Sequence, residues 1–240
     1  MTATRATPSI AHVALIGLFV TALVTAQLTA SKILAFELPF AVPIAGAELL
    51  LPGAALAYAL TFLASDCYAE LYGRKAAQIV VNVAFAMNFV VLLLVWSTIA
   101  APTSVTSPVG GGEFAAVLGP AANIVAGSLV AYLVSQNWDV IVFHRIREYT
   151  DGERLWLRNI GSTASSQAID TIIFVSIAFD IAPRVFGIGT ALPLEAVLGL
   201  MIGQYLLKLL IAIVDTPFVY AIVALARSLD DDELEEPAST

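Results

Sequence analysis

The sequence predicts an all-α polytopic membrane protein, and three observations lead to that fold class. Of the 240 residues, 59% are hydrophobic and only 12% are charged, and the mean hydropathy is +0.89. A soluble domain has about 45–50% apolar and about 25% charged residues, so this excess would not fit into one core. The apolar residues also fall into long uncharged windows, and the basic residues cluster at alternate ends of those windows. This pattern argues against soluble, disordered and nucleic-acid-binding proteins.

Six windows are long enough to span a bilayer, whose core of about 30 Å requires about 20 apolar residues in a helix. The predicted spans lie at about 12–31, 49–68, 76–100, 114–143, 160–182 and 195–226. The first window could be a signal peptide because Arg5 precedes it, but its apolar run is long and further spans follow. We expect all six helices to form one transmembrane domain, residues 1–228.

The basic residues predict that both termini are cytoplasmic, since cytoplasmic loops are enriched in Lys and Arg. Eight of the 11 basic residues then face the cytoplasm: Arg5, Arg74, Lys75, Arg145, Arg147, Arg154, Arg158 and Arg227. The opposite loops contain only Lys32 and Arg184, and Lys208 lies within the last span. We therefore expect an N-in, C-in protein of the cell membrane. Six spans also permit a 3+3 inverted pseudosymmetry, although the two halves show no sequence repeat.

The C-terminal end carries most of the net charge of −8, with six acidic residues between Asp230 and Glu236. A terminal run of like charges usually stays solvated, so residues 229–240 are predicted to form an acidic, disordered cytoplasmic tail. The single cysteine, Cys67, excludes an internal disulfide framework, and neither histidine has a partner at metal-ligand spacing. We expect no metal and no cofactor.

No motif of a catalytic or nucleotide-binding protein occurs in the chain. A zinc-protease helix motif, a P-loop, a nucleophile elbow and a dinucleotide fingerprint are all absent from the sequence. The protein is therefore not expected to be an enzyme, and it does not hydrolyse ATP itself. A carrier for a small molecule agrees best with an uncharged exterior and a polar interior.

Polar residues within the predicted spans mark that interior. An ionisable residue near a helix centre costs about 2.5–3.5 kcal/mol on insertion scales, so Asp170, Lys208 and Asp215 should face the bundle interior. In the fifth span, Thr163, Gln167, Asp170 and Phe174 recur at helical spacing, and in the sixth span Gln204, Lys208 and Asp215 do the same. Further candidates are Gln27, Asp66, Glu70, Asp139 and Trp156.

Structural alternatives exist for several of these residues. Asp170 and Lys208 could form a buried ion pair without a further role. Asp66 and Glu70 could belong to an interfacial cluster with the neighbouring Arg74 and Lys75. Likewise, Asp139 lies near the interface, and Trp156 could be an interfacial anchor.

Four ordered segments resemble the queuosine-precursor transporter family, also called the vitamin uptake transporter family. The first is LASDCYAELYGRKAAQIV at residues 63–80, which resembles the family signature after the second helix. The others are LVAYLVSQNWDVIVFHRIRE at 129–148, LWLRNIGSTASSQAIDTIIFVSIAF at 155–179 and YLLKLLIAIVDTPFVY at 205–220. The resemblance extends over about residues 20–225 and implies a six-helix fold.

The resemblance further implies uptake of 7-deazaguanine bases, chiefly 7-cyano-7-deazaguanine and 7-aminomethyl-7-deazaguanine. These are precursors of queuosine in bacterial tRNA and of archaeosine in archaeal tRNA. The partners would be a deazapurine and the lipid bilayer, with no direct contact to nucleic acid. One departure is Gln27, which stands where family members tend to have Asn.

Ligand chemistry then suggests roles for the candidates. A carboxylate can accept the N1–H and amine of a guanine-like edge, and Asp170 or Glu70 could provide it. The ring acceptors need donors such as Gln167, Gln27 or Lys208, and the flat ring needs a wall such as Phe174 or Trp156. We expect Asp170 and Gln167 to read the base, while Lys208 balances Asp170 in the empty site. Asp66 and Glu70 are further candidates for the substrate site, although they agree better with a cytoplasmic gate. Asp139 and Asp215 are candidates for a gate or for coupling.

The mode of transport and the assembly stay open at this point. Transport could be facilitative, or coupled to protons through Asp170, Asp215 or Glu70, or coupled to sodium. The chain could instead be the substrate-binding component of an energy-coupling-factor importer, or a non-transporting membrane scaffold. Small residues on the third and fourth spans would permit a homodimer.

Overall fold

The computed structural model describes residues 9–43, 46–151 and 153–235, and the side chains of 155, 156, 158, 159 and 229–235 lie outside that description. The described chain is mostly helical, as predicted. Four helical segments are long and apolar enough to cross a membrane: Ile10–Thr29, Arg74–Ala100, Gly111–Tyr149 and Leu194–Ser228. The fold therefore agrees with an all-α membrane protein, while six spans and the N-in, C-in orientation stay predictions.

The elements follow one another as a series of helices interrupted by one β-hairpin. They are α1 (Ile10–Thr29), β1 (Ile33–Val42), β2 (Gly46–Pro52), α2 (Ala55–Tyr72), α3 (Arg74–Ala100), α4 (Gly111–Leu118), α5 (Ala121–Tyr149), α6 (Leu155–Ser176), α7 (Ala182–Phe186) and α8 (Leu194–Glu235). A π-helical turn, Ile177–Ile181, joins α6 to α7. Such turns are frequent near functional sites, and this one directly follows the polar stripe of α6.

Local sequence signals explain several helix ends. The Ser9 side chain accepts a hydrogen bond from the backbone N–H of His12 at 3.3 Å and so caps α1. Gly73 adopts φ +88° between α2 and α3, a conformation that a residue with a Cβ atom rarely tolerates. Pro120 separates α4 from α5, so the predicted fourth span at 114–143 consists of two helices.

The β-hairpin was not predicted, and it corrects the start of the second span. Residues 49–52 belong to β2, where Phe36 is opposite Leu49 and Leu34 is opposite Leu51, and the helix begins only at Ala55. The leucines of this segment raise its hydropathy, but Pro52 cannot continue a helix formed before it. The backbone N–H of Gly53 instead donates to the carbonyl of Lys32 at 2.6 Å, which closes the base of the hairpin.

The hairpin packs directly on α8 because two glycines leave room for it. A Cβ atom at Gly199 would lie 2.9 Å from Cδ1 of Leu50, and one at Gly203 would collide with the backbone oxygen of Leu50. The hairpin therefore covers one end of the helices, and it contributes Pro52 to the cavity described below.

Helices α5 and α6 form the most extensive helix pair, and their close contact uses a small residue. A Cβ atom at Gly127 would lie 3.0 Å from the backbone oxygen of Phe174 and 3.1 Å from Cβ of Ala178. Small residues at such contacts are typical of membrane helix pairs. Buried apolar side chains around this contact, including Ile124, Val175 and Leu200, form the main core.

Helix α8 continues past residue 228 to Glu235, so the first part of the predicted tail is helical. No Gly or Pro interrupts the chain between Ala226 and Glu236. The boundary of the transmembrane domain at residue 228 stays a prediction. The disorder of the acidic tail stays a prediction, and residues 236–240 lie outside the described residues.

Candidate functional site

The central cavity, of about 80 Å³, lies among α1, α2, α3, α5, α6 and α8 below the hairpin. Its walls are mostly apolar, as expected for a small-molecule site. The polar residues that line it are Gln27, Tyr58, Ser128, Tyr132, Asp170, Gln204 and Lys208. Each of these helices except α3 contributes at least one polar side chain, so the cavity is the place where the polar stripes of separate helices meet.

An ion pair between α6 and α8 dominates the electrostatics of this cavity. Nζ of Lys208 donates to Oδ2 of Asp170 at 2.5 Å, and the two side chains are only 3% and 18% exposed. Oδ1 of Asp170 accepts a hydrogen bond from Oγ of Ser135 at 3.3 Å. The Lys208 ammonium also lies 5.7 Å from the centre of the Tyr58 ring, within cation–π range. Both charges are thus compensated inside the protein.

Two buried amides of the central cavity have unused acceptors. Gln27 and Gln204 are 4% and 8% exposed, and among the described residues their Oε1 atoms have no hydrogen-bond partner. A buried acceptor without a partner costs about 1–3 kcal/mol. Buried polar groups are rarely left in this state, so these oxygens are candidate acceptors for hydrogen bonds from a ligand.

Aromatic rings form one wall of the central cavity. Phe85 of α3 stacks on Tyr132 of α5, with ring centres 4.8 Å apart and planes inclined by 20°. The Tyr132 hydroxyl accepts from Nε2 of Gln78 at 2.5 Å and donates to Oδ1 of Asn82 at 3.1 Å, which holds the ring in place. Phe174 of α6 also lines the cavity.

Sequence pattern did not identify this wall, Tyr58 or Ser128 as candidates for the site. A usable signal existed, because Gln78, Asn82 and Phe85 recur at helical spacing along α3. The same rule that singled out α6 and α8 would therefore have pointed to this face of α3.

Two further cavities lie along α8. The second cavity, of about 450 Å³, shares Lys208 and Ile211 with the central cavity and is also lined by Asp66, Gln167 and Asp215. The third cavity, of about 570 Å³, shares Asp66 and Asp215 with the second. Lys208 thus lines both the central and the second cavity, and the three cavities follow one another along a path towards the C-terminal end of α8.

The third cavity ends at residues predicted to face the cytoplasm. Glu70, Arg74 and Arg227 line it, and Oε1 of Glu70 lies 3.7 Å from Nη2 of Arg227. Both side chains of this pair are largely exposed, at 60% and 62%. The ion pair formed by Glu70 is therefore with α8, not with the adjacent Arg74 or Lys75 that the interfacial alternative invoked.

The structure brings some of the predicted site residues together and separates others. Gln27, Asp170, Phe174, Gln204 and Lys208 line the central cavity. Gln167 lines the second cavity and not the central one, so the two residues expected to read one base line different cavities. On α8, the amide that lines the central cavity together with Asp170 is that of Gln204.

The remaining predicted residues lie farther from the central cavity. Asp66 and Asp215 line the second and third cavities, and Glu70 lines the third. Oδ1 of Asp139 accepts a hydrogen bond from Oγ of Ser166 at 3.3 Å, which links α5 to α6. The Trp156 side chain lies outside the described residues. Within the described ranges, no three His, Cys, Asp or Glu side chains come together as a metal site.

Comparison with known proteins identifies relatives that cover most of the chain. The family model of the putative vitamin uptake transporters matches residues 52–222. A probable queuosine precursor transporter of Bacillus subtilis (strain 168) is 33% identical over 165 residues, which cover 68% of each chain. The queuosine precursor transporter of Escherichia coli (strain K12) is 29% identical over 183 residues, or 75% of this chain and 77% of the relative. No solved structure matches the chain significantly.

Proposed function

Since the chain belongs to the putative vitamin uptake transporter family, we propose that it imports 7-deazaguanine precursors of queuosine or archaeosine for tRNA modification. The chain is a transporter and not an enzyme, in keeping with its family and relatives. The names of both relatives specify queuosine precursors as the cargo. The specific bases we propose are 7-cyano-7-deazaguanine and 7-aminomethyl-7-deazaguanine.

The observation that carries the proposal is the central cavity, with one carboxylate and two unused amide acceptors inside an aromatic wall. A guanine-like edge presents an N–H and an exocyclic amine side by side, and a carboxylate such as Asp170 can accept both. Gln27 and Gln204 would accept the remaining ring donors. Phe174 and the Phe85–Tyr132 stack would cover the faces of the flat ring.

The path along α8 suggests how the base would leave. We propose six spans with both termini in the cytoplasm, so that the hairpin covers the outer side of the central cavity. The base would then pass Lys208 into the second and third cavities. In this proposal, Asp66, Glu70, Asp139 and Asp215 belong to the inner gate rather than to the base-binding site.

A rescue assay in living cells tests this function. The chain is expressed in bacteria that lack both deazaguanine synthesis and their own precursor carrier, and 7-cyano-7-deazaguanine is supplied at low concentration. Queuosine is then measured in tRNA. We expect the wild-type chain to restore queuosine and Asp170→Asn to abolish the restoration.

The matched control is Asp180→Asn, which removes a half-buried carboxylate of the π-helical turn after α6 that pairs with Arg184 at 2.6 Å. This variant should restore queuosine as well as the wild type does. Absence of rescue by wild-type protein that is present in the membrane would refute the proposed cargo. Normal rescue by Asp170→Asn would refute the proposed site.

A further inference from the structure

The central cavity contains a balanced set of charges. Among its described lining residues, Asp170 and Lys208 are the charged ones, and they neutralise each other at 2.5 Å. The other polar lining side chains are amides and hydroxyls. A bound molecule would therefore find no free charge in the cavity.

A charged ligand would have to break this pair. The second oxygen of Asp170 already accepts a hydrogen bond from Ser135, and the Lys208 side chain is only 3% exposed. A ligand cation that took Asp170 would leave the Lys208 ammonium buried without a counter-charge, and an unpaired buried charge is strongly destabilising. Asp66 and Asp215 line the second cavity with Lys208, but the Lys208 ammonium forms its ion pair with Asp170.

A neutral ligand that donates hydrogen bonds could bind without breaking the ion pair. The unused Oε1 atoms of Gln27 and Gln204 are acceptors that carry no net charge, and an N–H group satisfies each of them. The carboxylate of Asp170 can accept further N–H groups while it keeps Lys208 as its counter-charge. The cavity thus provides acceptors for a neutral heterocycle but no counter-charge for an ion.

We propose that the central cavity selects neutral N–H-bearing heterocycles and discriminates against cationic ones of the same shape. This inference rests on the proposed function, within which it separates the two candidate cargoes. 7-Cyano-7-deazaguanine is neutral, whereas the alkylamine of 7-aminomethyl-7-deazaguanine is protonated near neutral pH, like the amine of lysine. The protein therefore prefers the cyano base.

Competition for uptake tests the preference. Cells of the rescue strain take up labelled 7-cyano-7-deazaguanine in the presence of increasing unlabelled cyano or aminomethyl base. For the wild-type chain, we expect the aminomethyl base to need a concentration at least about tenfold higher for half-inhibition, which corresponds to about 1.4 kcal/mol.

Charge variants give the matched comparison. Lys208→Gln leaves the charge of Asp170 unpaired, so the half-inhibition ratio should shift by about tenfold or more towards the aminomethyl base. Lys208→Arg keeps a cation beside Asp170 and should therefore keep the preference for the cyano base. Arg184→Gln, which removes an exposed cation outside the cavity, should leave the uptake ratio unchanged.

The outcomes separate the two proposals. Labelled uptake that both bases inhibit equally, or that the aminomethyl base inhibits better, overturns the charge preference and leaves the proposed function intact. An unchanged ratio in Lys208→Gln likewise overturns it. If that variant does not reach the membrane, the wild-type ratio and the ratio in Lys208→Arg decide. No uptake of either base by wild-type protein in the membrane refutes the proposed function and this inference together.

Discussion

Two acid–base pairs of this protein have the same chemistry and opposite surroundings. Asp170 and Lys208 are 2.5 Å apart in the central cavity with side-chain exposures of 18% and 3%. Glu70 and Arg227 are 3.7 Å apart at the mouth of the third cavity, with exposures of 60% and 62%. Removing one partner of a buried pair typically costs about 3–5 kcal/mol, whereas an exposed pair contributes about 0–1 kcal/mol. Burial, and not residue type, therefore determines how much each pair contributes to stability.

The difference also agrees with different roles in transport. The buried pair is held in a single geometry and can present Asp170 to a ligand at a defined position. The exposed pair lies at the end of the path along α8, where water competes for both charges. A loose pair of this kind can separate at little cost, as a gate between α2 and α8 would require.

The largest effect is expected from breaking the buried pair. Lys208→Met leaves Asp170 buried without a counter-charge and should destabilise the protein by about 3–5 kcal/mol. Adding Asp170→Asn to Lys208→Met should recover most of this loss, because no unpaired charge remains. The midpoint of thermal unfolding in detergent, measured for the two single variants and the double variant, checks the coupling. Additive losses in the double variant would show that the two residues do not act as a pair.

An intermediate effect of a different kind is expected from the neutral amides of the same cavity. Gln204→Leu removes an acceptor that has no partner among the described residues, so the unfolding temperature should stay unchanged or rise slightly. Uptake of the cyano base should nevertheless fall by about tenfold, the equivalent of one lost ligand hydrogen bond. Gln136→Leu, which removes an exposed amide of α5 that lines none of the three cavities, is a control for the loss of an amide in the membrane domain. Normal uptake in Gln204→Leu would exclude this amide from the site.

The smallest effect on stability is expected at the exposed pair. Glu70→Gln and Arg227→Gln should each change the free energy of unfolding by less than about 1 kcal/mol, and less still at high salt. The same unfolding measurement, repeated at low and high ionic strength, tests this expectation. A loss as large as that in Lys208→Met would mean that the two pairs do not differ as their exposure indicates.

The helical architecture follows from sequence pattern to a large extent. The long uncharged windows coincide with α1, α3, α5 and α8, which supply the segments apolar enough to cross a membrane. The hairpin at Ile33–Pro52 could not be predicted from the sequence pattern, because the hydropathy of its leucines resembles that at the start of a membrane helix. Its formation depends on strand pairing and on the space that Gly199 and Gly203 leave on α8.

The candidate site was likewise predicted only in part from the sequence. Helical spacing placed Asp170 and Phe174 on one stripe and Gln204 and Lys208 on another, and all four line the central cavity. Spacing also put Gln167 on the stripe of Asp170, but the cavity boundary falls between these two residues. Helical spacing predicts which residues share one face of a helix. The position along the helix axis at which a neighbouring helix closes the cavity depends on tertiary packing.

The sequence by itself determined the membrane class, the approximate helices, the family and the charged residues that must avoid lipid. These properties follow from local composition, from periodicity along single helices and from ordered motifs, all of which a linear chain displays. Only the tertiary structure decided that Asp170 pairs with Lys208, that Gln27 and Gln204 keep unused acceptors, and that the hairpin closes the bundle. Those features arise from contacts between segments far apart in sequence, where the rotation and height of each helix set which side chains meet.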